Sequence, residues 1–141
     1  MRRDLFAIIL ATLAFSLWGY VWYATVFDDI WQNLIGRSEA ELIELAAARG
    51  QLQNLFTLVI SFVQVMGIFI ISKWIKAKSF IQYMGLSFVL SSLIVLPSLG
   101  NATLFAGTPT TLLVLDYGHF ILGYAGIAFV FFIICRLRKS A

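Results

Sequence analysis

The sequence predicts an all-α fold: a four-transmembrane-helix bundle with a short amphipathic helical connector between helices one and two. Three observations carry this. Apolar runs at about 5–27, 52–74, 80–99 and 111–135 each supply the roughly 20 helical residues that cross a hydrocarbon core of about 30 Å. The 141 residues are 61% hydrophobic and only 12% charged, against about 25% charged in soluble domains. Eight of the ten Lys and Arg fall at the N-terminus, between runs two and three, and in the tail. A soluble bundle would need a polar stripe along every helix. Ile127-Ala128-Phe129-Val130-Phe131-Phe132-Ile133-Ile134 has none. One integral membrane domain over 1–141 is expected.

The first run follows Met1-Arg2-Arg3-Asp4, which resembles the charged start of a signal peptide. A secretory apolar core is about 7–15 residues long and ends at a small-residue cleavage site. This run continues to Phe27 and ends in aromatics and Asp28-Asp29, so a retained first helix is expected. In the connector, Ile30, Trp31, Leu34 and Ile35 oppose Asp28, Asp29, Gln32 and Asn33, the pattern of a helix lying at the interface. Gly36 ends it. Ser38-Glu39-Ala40-Glu41 has capping-box spacing and starts a second connector helix through Ala48. Its acids read either as a lid that gathers cations or as the solvated face of an amphipathic connector.

Lys76-Ala77-Lys78-Ser79 is so short that crossings two and three must form an antiparallel hairpin. Turn residues around Gly100-Asn101-Ala102-Thr103 and Gly107-Thr108-Pro109 are expected to link crossings three and four, with Pro109 starting the last helix. Asn101-Ala102-Thr103 fits a glycosylation acceptor pattern, read here as accidental so near a membrane. Cys135 is the sole cysteine; it excludes an intrachain disulfide, and no Cys/His cluster suggests a metal centre. No internal repeat appears, which weakens an inverted-repeat transporter reading. With four crossings, the positive-inside rule places both termini in the cytoplasm. The expected location is the plasma (inner) membrane, with the bilayer as first partner and a second copy or another membrane protein as a further candidate. The basic excess of +3 describes topology, and no nucleic-acid surface is present.

Chemistry concentrates in the last crossing. Asp116 is the one acid within the four apolar runs and His119 the one histidine. Three residues apart, they share a helical face, which Gly123 and Gly126 are expected to continue. From Thr111, Asp116 lies about 8 Å and His119 about 12 Å below the membrane boundary. A carboxyl near the bilayer centre costs about 2.5–3.5 kcal/mol, and less at shallower depth, so companions are needed. Crossing one offers Trp18, Tyr20, Trp22 and Tyr23 in Trp18-Gly19-Tyr20-Val21-Trp22-Tyr23. Gln64, Ser91 and Ser92 sit near mid-depth and extend the candidate network. The set Asp116, His119, Trp18, Tyr20, Trp22, Tyr23 and Gln64 reads in two ways. One is interhelical hydrogen-bonding glue; the other is a polar pocket open to the outer face. One His and one carboxylate are too few for a metal, haem has no supporting motif, and no cofactor is expected.

Gly19-Tyr20-Val21-Trp22-Tyr23-Ala24-Thr25-Val26-Phe27-Asp28-Asp29-Ile30-Trp31, then Leu34-Ile35-Gly36 and the helix start at Ser38, Glu39 and Glu41, resembles the opening of the domain of unknown function 1761 family. There the first helix runs Gly-x-x-Trp-Tyr into a Phe-x-x-x-Trp connector. Tyr117-Gly118-His119-Phe120 through Gly123 and Gly126 is similar to that family's Tyr-His-x-x-Gly ending. The chain departs from the pattern at Thr25, where Pro is common, at Asp28, where Gly is common, and at Gly118, which separates Tyr117 from His119. The resemblance implies a small bacterial membrane protein of four helices. It marks Trp22, Tyr23, Trp31 and His119 as matching positions and implies no activity.

Two functional classes follow. One is a non-enzymatic membrane module that binds a ligand, lipid or partner through the aromatic/Asp/His cluster. The other is a proton-coupled small-molecule carrier acting as an oligomer. An enzyme ranks behind both, because no nucleophile arrangement, HExxH or phosphate loop is present.

Overall fold

In the computed structural model, residues 2–139 are described, with side chains through 134. Cys135 and the tail cations Arg136, Arg138 and Lys139 lie outside the described side chains. The first span is α1, Arg2–Val21, closed by a wide π-turn over Trp22–Val26 in which Phe27 N–H donates to Trp22 O at 3.0 Å. Two connector helices follow, α2 (Asp28–Ile35) and α3 (Glu39–Arg49). The second span is α4, Gln51–Trp74. The third comprises α5 (Phe80–Leu90), a second π-turn over Ser91–Val95, and α6 (Leu96–Ala106). The fourth is α7, Thr110–Lys139. No strand occurs among the described residues. Four helical stretches, Arg2–Val26, Gln51–Trp74, Phe80–Ala106 and Thr110–Ile134, are long and apolar enough to cross a membrane, and the protein is a multi-pass membrane protein.

The expected turn at 100–103 is instead helical, and the third span runs to Gly107, whose φ of +70° ends it in the left-handed region. In water Gly weakens a helix through its backbone freedom, and Asn through a side chain that competes for neighbouring main-chain groups. In a span a freed main-chain group finds no water to replace its partner, so the helix continues. Pro97 lies inside this helix and has no N–H to give to Leu93 O. The π-turn just ahead absorbs the defect, with Leu96 N–H reaching back five residues to Ser91 O.

Turn chemistry elsewhere follows the sequence closely. Gly36 (φ +65°) ends α2 in a Schellman motif, with Arg37 N–H on Gln32 O and Gly36 N–H on Asn33 O. At the hairpin, Ala77 N–H meets Ser72 O and Lys76 N–H meets Lys73 O, with Lys76 itself at φ +53°. The S-x-x-Q spacing of Ser79 and Gln82 forms a capping box at the start of α5. The Ser38/Glu41 box forms as expected. The Glu41 carboxylate accepts from Ser38 N–H at 2.7 Å and from the Ser38 hydroxyl at 2.9 Å.

Those bonds hold the exposed Glu41 carboxyl below its ordinary value of 4.5. A carboxyl depressed on folding stabilises above its unfolded pKa, and the contribution fades as pH falls through the folded one. The first turn of α3 is therefore expected to fray below pH 4.5. Amide protection at 39–42, relative to the intrinsic exchange rate at each pH, should fall in acid, and a Glu41→Gln protein should lack most of that change.

α7 is the central helix, packing on α1 along one side and on α5 and α6 along another, while α4 packs chiefly on α1. The seam of α1 is Ala7, Ile8, Ala11, Thr12 and Phe15; that of α7 is Leu115, His119, Gly123, Ile127 and Phe131, in steps of four. Small residues let the backbones approach, which matters because lipid tails give helices no hydrophobic reason to associate. Ala11 and Ala128 are wholly enclosed. By contrast, 51–60 of α4 is exposed throughout.

Candidate functional site

The expected cluster assembles in part, at the connector end of the bundle. Tyr23, in the first π-turn, donates its hydroxyl to Asp116 Oδ1 at 2.8 Å. Trp18 Nε1 donates to the main-chain carbonyl of His119 at 3.1 Å. The His119 ring, 7% exposed, sits among Phe15, Tyr23 and Phe120 at centroid distances of 5.4, 5.0 and 5.0 Å, with Trp22 at 6.3 Å. Gly19 lies against it, and a Cβ there would stand in ordinary contact, 3.4 Å from His119 Nε2. Gly118 leaves room for Trp22, since a Cβ there would crowd Cζ2 at 3.2 Å.

The polar atoms of this box are unevenly satisfied. Asp116, at the edge of the seam, is half-buried and holds the Tyr23 hydroxyl. Both nitrogens of His119, together with Trp22 Nε1, are buried without a hydrogen-bond partner among the described residues. A neutral imidazole presents one donor and one acceptor, and indole a donor. Leaving such a group unpaired costs about 1–3 kcal/mol. Three unpaired atoms in one cluster are therefore a specific signal.

Three expectations need correction. Tyr20 does not join the cluster: it is 66% exposed, because two residues of helix turn it about 200° from Trp18. Gln64 adds no hydrogen bond to it through Oε1, which is buried without a hydrogen-bond partner among the described residues. Gly126 is exposed with open space beside it, whereas a Cβ on Gly123 would collide with the Phe15 ring. Of the two serines, Ser92 Oγ pairs with Tyr117 OH at 2.9 Å and Ser91 Oγ bonds Phe88 O in its own helix.

Phe15 and Phe27 belong to the site without having been singled out for it, and Trp31, a matching position of the resemblance, joins them. Phe15 was readable, since 15, 18, 19 and 22 repeat at helical spacing. Phe27 stacks on Trp22 at 4.5 Å because the π-turn brings residues five apart to one face. Trp31 of α2 lies over Tyr23 at 5.6 Å, so the connector roofs the cluster. No third His, Cys, Asp or Glu joins Asp116 and His119 among the described residues.

Four apolar spans, with a roofed Asp/His/aromatic box at one end, define a helical multi-pass membrane protein with a polar site set into the bundle. Residues 6–132 match the family described as Protein of unknown function (DUF1761), and the chain belongs to that family. No curated protein and no solved structure matches it.

Proposed function

We propose that this chain is a non-enzymatic membrane module, one integral domain over 1–141. It takes a small membrane-soluble ligand bearing a hydrogen-bond acceptor at the connector-end box. The reading rests on one observation: the imidazole of His119 and the indole N–H of Trp22 are buried together, unpaired, between aromatic faces. A ligand carbonyl or hydroxyl would accept from the indole and the imidazole, and a flat or branched body would lie against the rings. The basic residues at the two termini and the hairpin support a bacterial inner-membrane orientation with both termini cytoplasmic, so that the box opens toward the outer leaflet.

Native mass spectrometry from lipid nanodiscs, read with an absorption spectrum, tests this. Wild type should retain one small molecule besides lipid. His119→Phe and Trp22→Phe, which keep aromatic volume, should each lower its retention about tenfold, the equivalent of about 1.4 kcal/mol. A bare wild-type protein, or equal retention in all three, overturns the reading. The competing proposal, an oligomeric proton-coupled carrier, draws on Asp116 and His119 standing one turn apart. It requires proton uptake by reconstituted vesicles that Asp116→Asn abolishes.

A further inference from the structure

At the opposite end of the bundle, α1, α4, α5 and α7 leave a partly open cleft of about 30 Å³ lined by Arg3, Asp4, Lys73, Tyr83 and the apolar Phe69 and Phe131. Lys73 Nζ bonds Asp4 Oδ1 at 2.9 Å and lies 4.9 Å above the Phe69 ring. That engages one of its three donors with the carboxylate. Arg3 is exposed beside it, with five donors in a planar fork suited to a phosphate. Among the described residues, this end carries Arg2, Arg3, Lys73, Lys76 and Lys78 against the one carboxylate of Asp4. The cleft thus has cations at its mouth, an apolar floor, and a position where the spans end.

We propose that this cleft binds the phosphate of an anionic phospholipid, held between Arg3 and Lys73. The site is separate from the connector-end box and does not depend on how that box is read. A lipid fits better than a free anion for two reasons. The cleft sits at headgroup level, at the ends of spans Arg2–Val26 and Gln51–Trp74. Leu5 and Phe6, which follow Asp4 along α1, and Ile70, one turn before Lys73 in α4, are exposed and offer acyl chains an apolar surface that an inorganic ion cannot use. A phosphate oxygen can enter the cleft between Arg3 and Lys73, with the remaining headgroup at the mouth. Basic pockets between spans are a recurrent way of holding such headgroups. Asp4 competes with the phosphate for Lys73.

The test is native mass spectrometry of full-length protein from nanodiscs of mixed phosphatidylglycerol and phosphatidylcholine. Wild type should keep one phosphatidylglycerol through detergent exchange. Arg3→Gln/Lys73→Gln should weaken retention by about fivefold for each cation removed, the equivalent of about 1 kcal/mol each. Lys76→Gln/Lys78→Gln, outside the cleft, should stay within about twofold of wild type. Asp4→Asn should tighten retention by releasing Lys73, an effect that a merely structural ion pair would not produce.

Unchanged retention in a folded Arg3→Gln/Lys73→Gln protein overturns the proposal, as does equal retention of phosphatidylcholine. If the double variant does not fold, Asp4→Asn decides, and unchanged or weaker retention there overturns it. Occupancy by millimolar inorganic phosphate alone, with no preference for the lipid, overturns the lipid assignment.

Discussion

Gly123→Leu is expected to open the seam between α1 and α7 and yield a protein that stays helical but is no longer monodisperse in detergent. The position has no room: a first side-chain atom there would run into the ring of Phe15 and crowd Trp18. Phe15 is itself only 5% exposed and rests against His119 and Tyr124 at 5.4 and 5.8 Å. Its ring has nowhere to retreat. Overpacking a filled core costs about 1–3 kcal/mol for small additions, so Gly123→Ala should show a clear fall in thermal midpoint and the leucine variant a larger one. Gly126→Leu is the control. Its surroundings are open, and its midpoint should match wild type. Equal behaviour of the two glycine positions would mean that α1 and α7 do not meet as described.

The second large effect concerns the Tyr23–Asp116 hydrogen bond. Tyr23→Phe removes the hydroxyl that Asp116 Oδ1 accepts at 2.8 Å and leaves a half-buried carboxyl without that donor. A loss of about 1–2 kcal/mol is expected, because stranding one partner exposes its full desolvation penalty. Removing both partners in Tyr23→Phe/Asp116→Leu should recover most of it. A double-mutant cycle by denaturant titration in micelles should return a coupling of about 0.6–1.7 kcal/mol, the span from average to strongest for interhelical hydrogen bonds in membranes. Zero coupling would show that the two side chains do not act on each other.

How much of this was legible in the residues varies with the physics that set each part. Composition and run length placed spans one, two and four to within a few residues, because the bilayer demands length and apolarity and little else. The third span was read too short. Gly100, Asn101 and Thr103 were judged by rules learned in water, where a freed backbone amide finds another partner. Pro97 carried a usable signal for the wide turn at Ser91–Val95, but no residue pattern announced the one at Trp22–Val26. Trp18, Trp22, Tyr23, Asp116 and His119 come together because their depth and chemistry were both readable. Tyr20 failed because chemistry was counted without helical phase. Gly126 failed because its step of three from Gly123 leaves a seam that advances in steps of four through Ile127. Trp31 shows the complementary gap: its neighbours depend on how α2 crosses the first span, and one helix's sequence records only its own face.

The wide turn that closes the first span governs more than its own five residues. A turn closed five residues back rather than four holds one residue too many for the α-helical count, so whatever follows is swung by about 100°. Trp22 and Phe27 stack across it, and the chain leaves the membrane at a bearing that lays Trp31 over Tyr23. Roof and floor are thus geared together. Losing that single surplus residue would turn the indole of Trp31 outward, carry Phe27 off Trp22 and leave the histidine chamber uncovered.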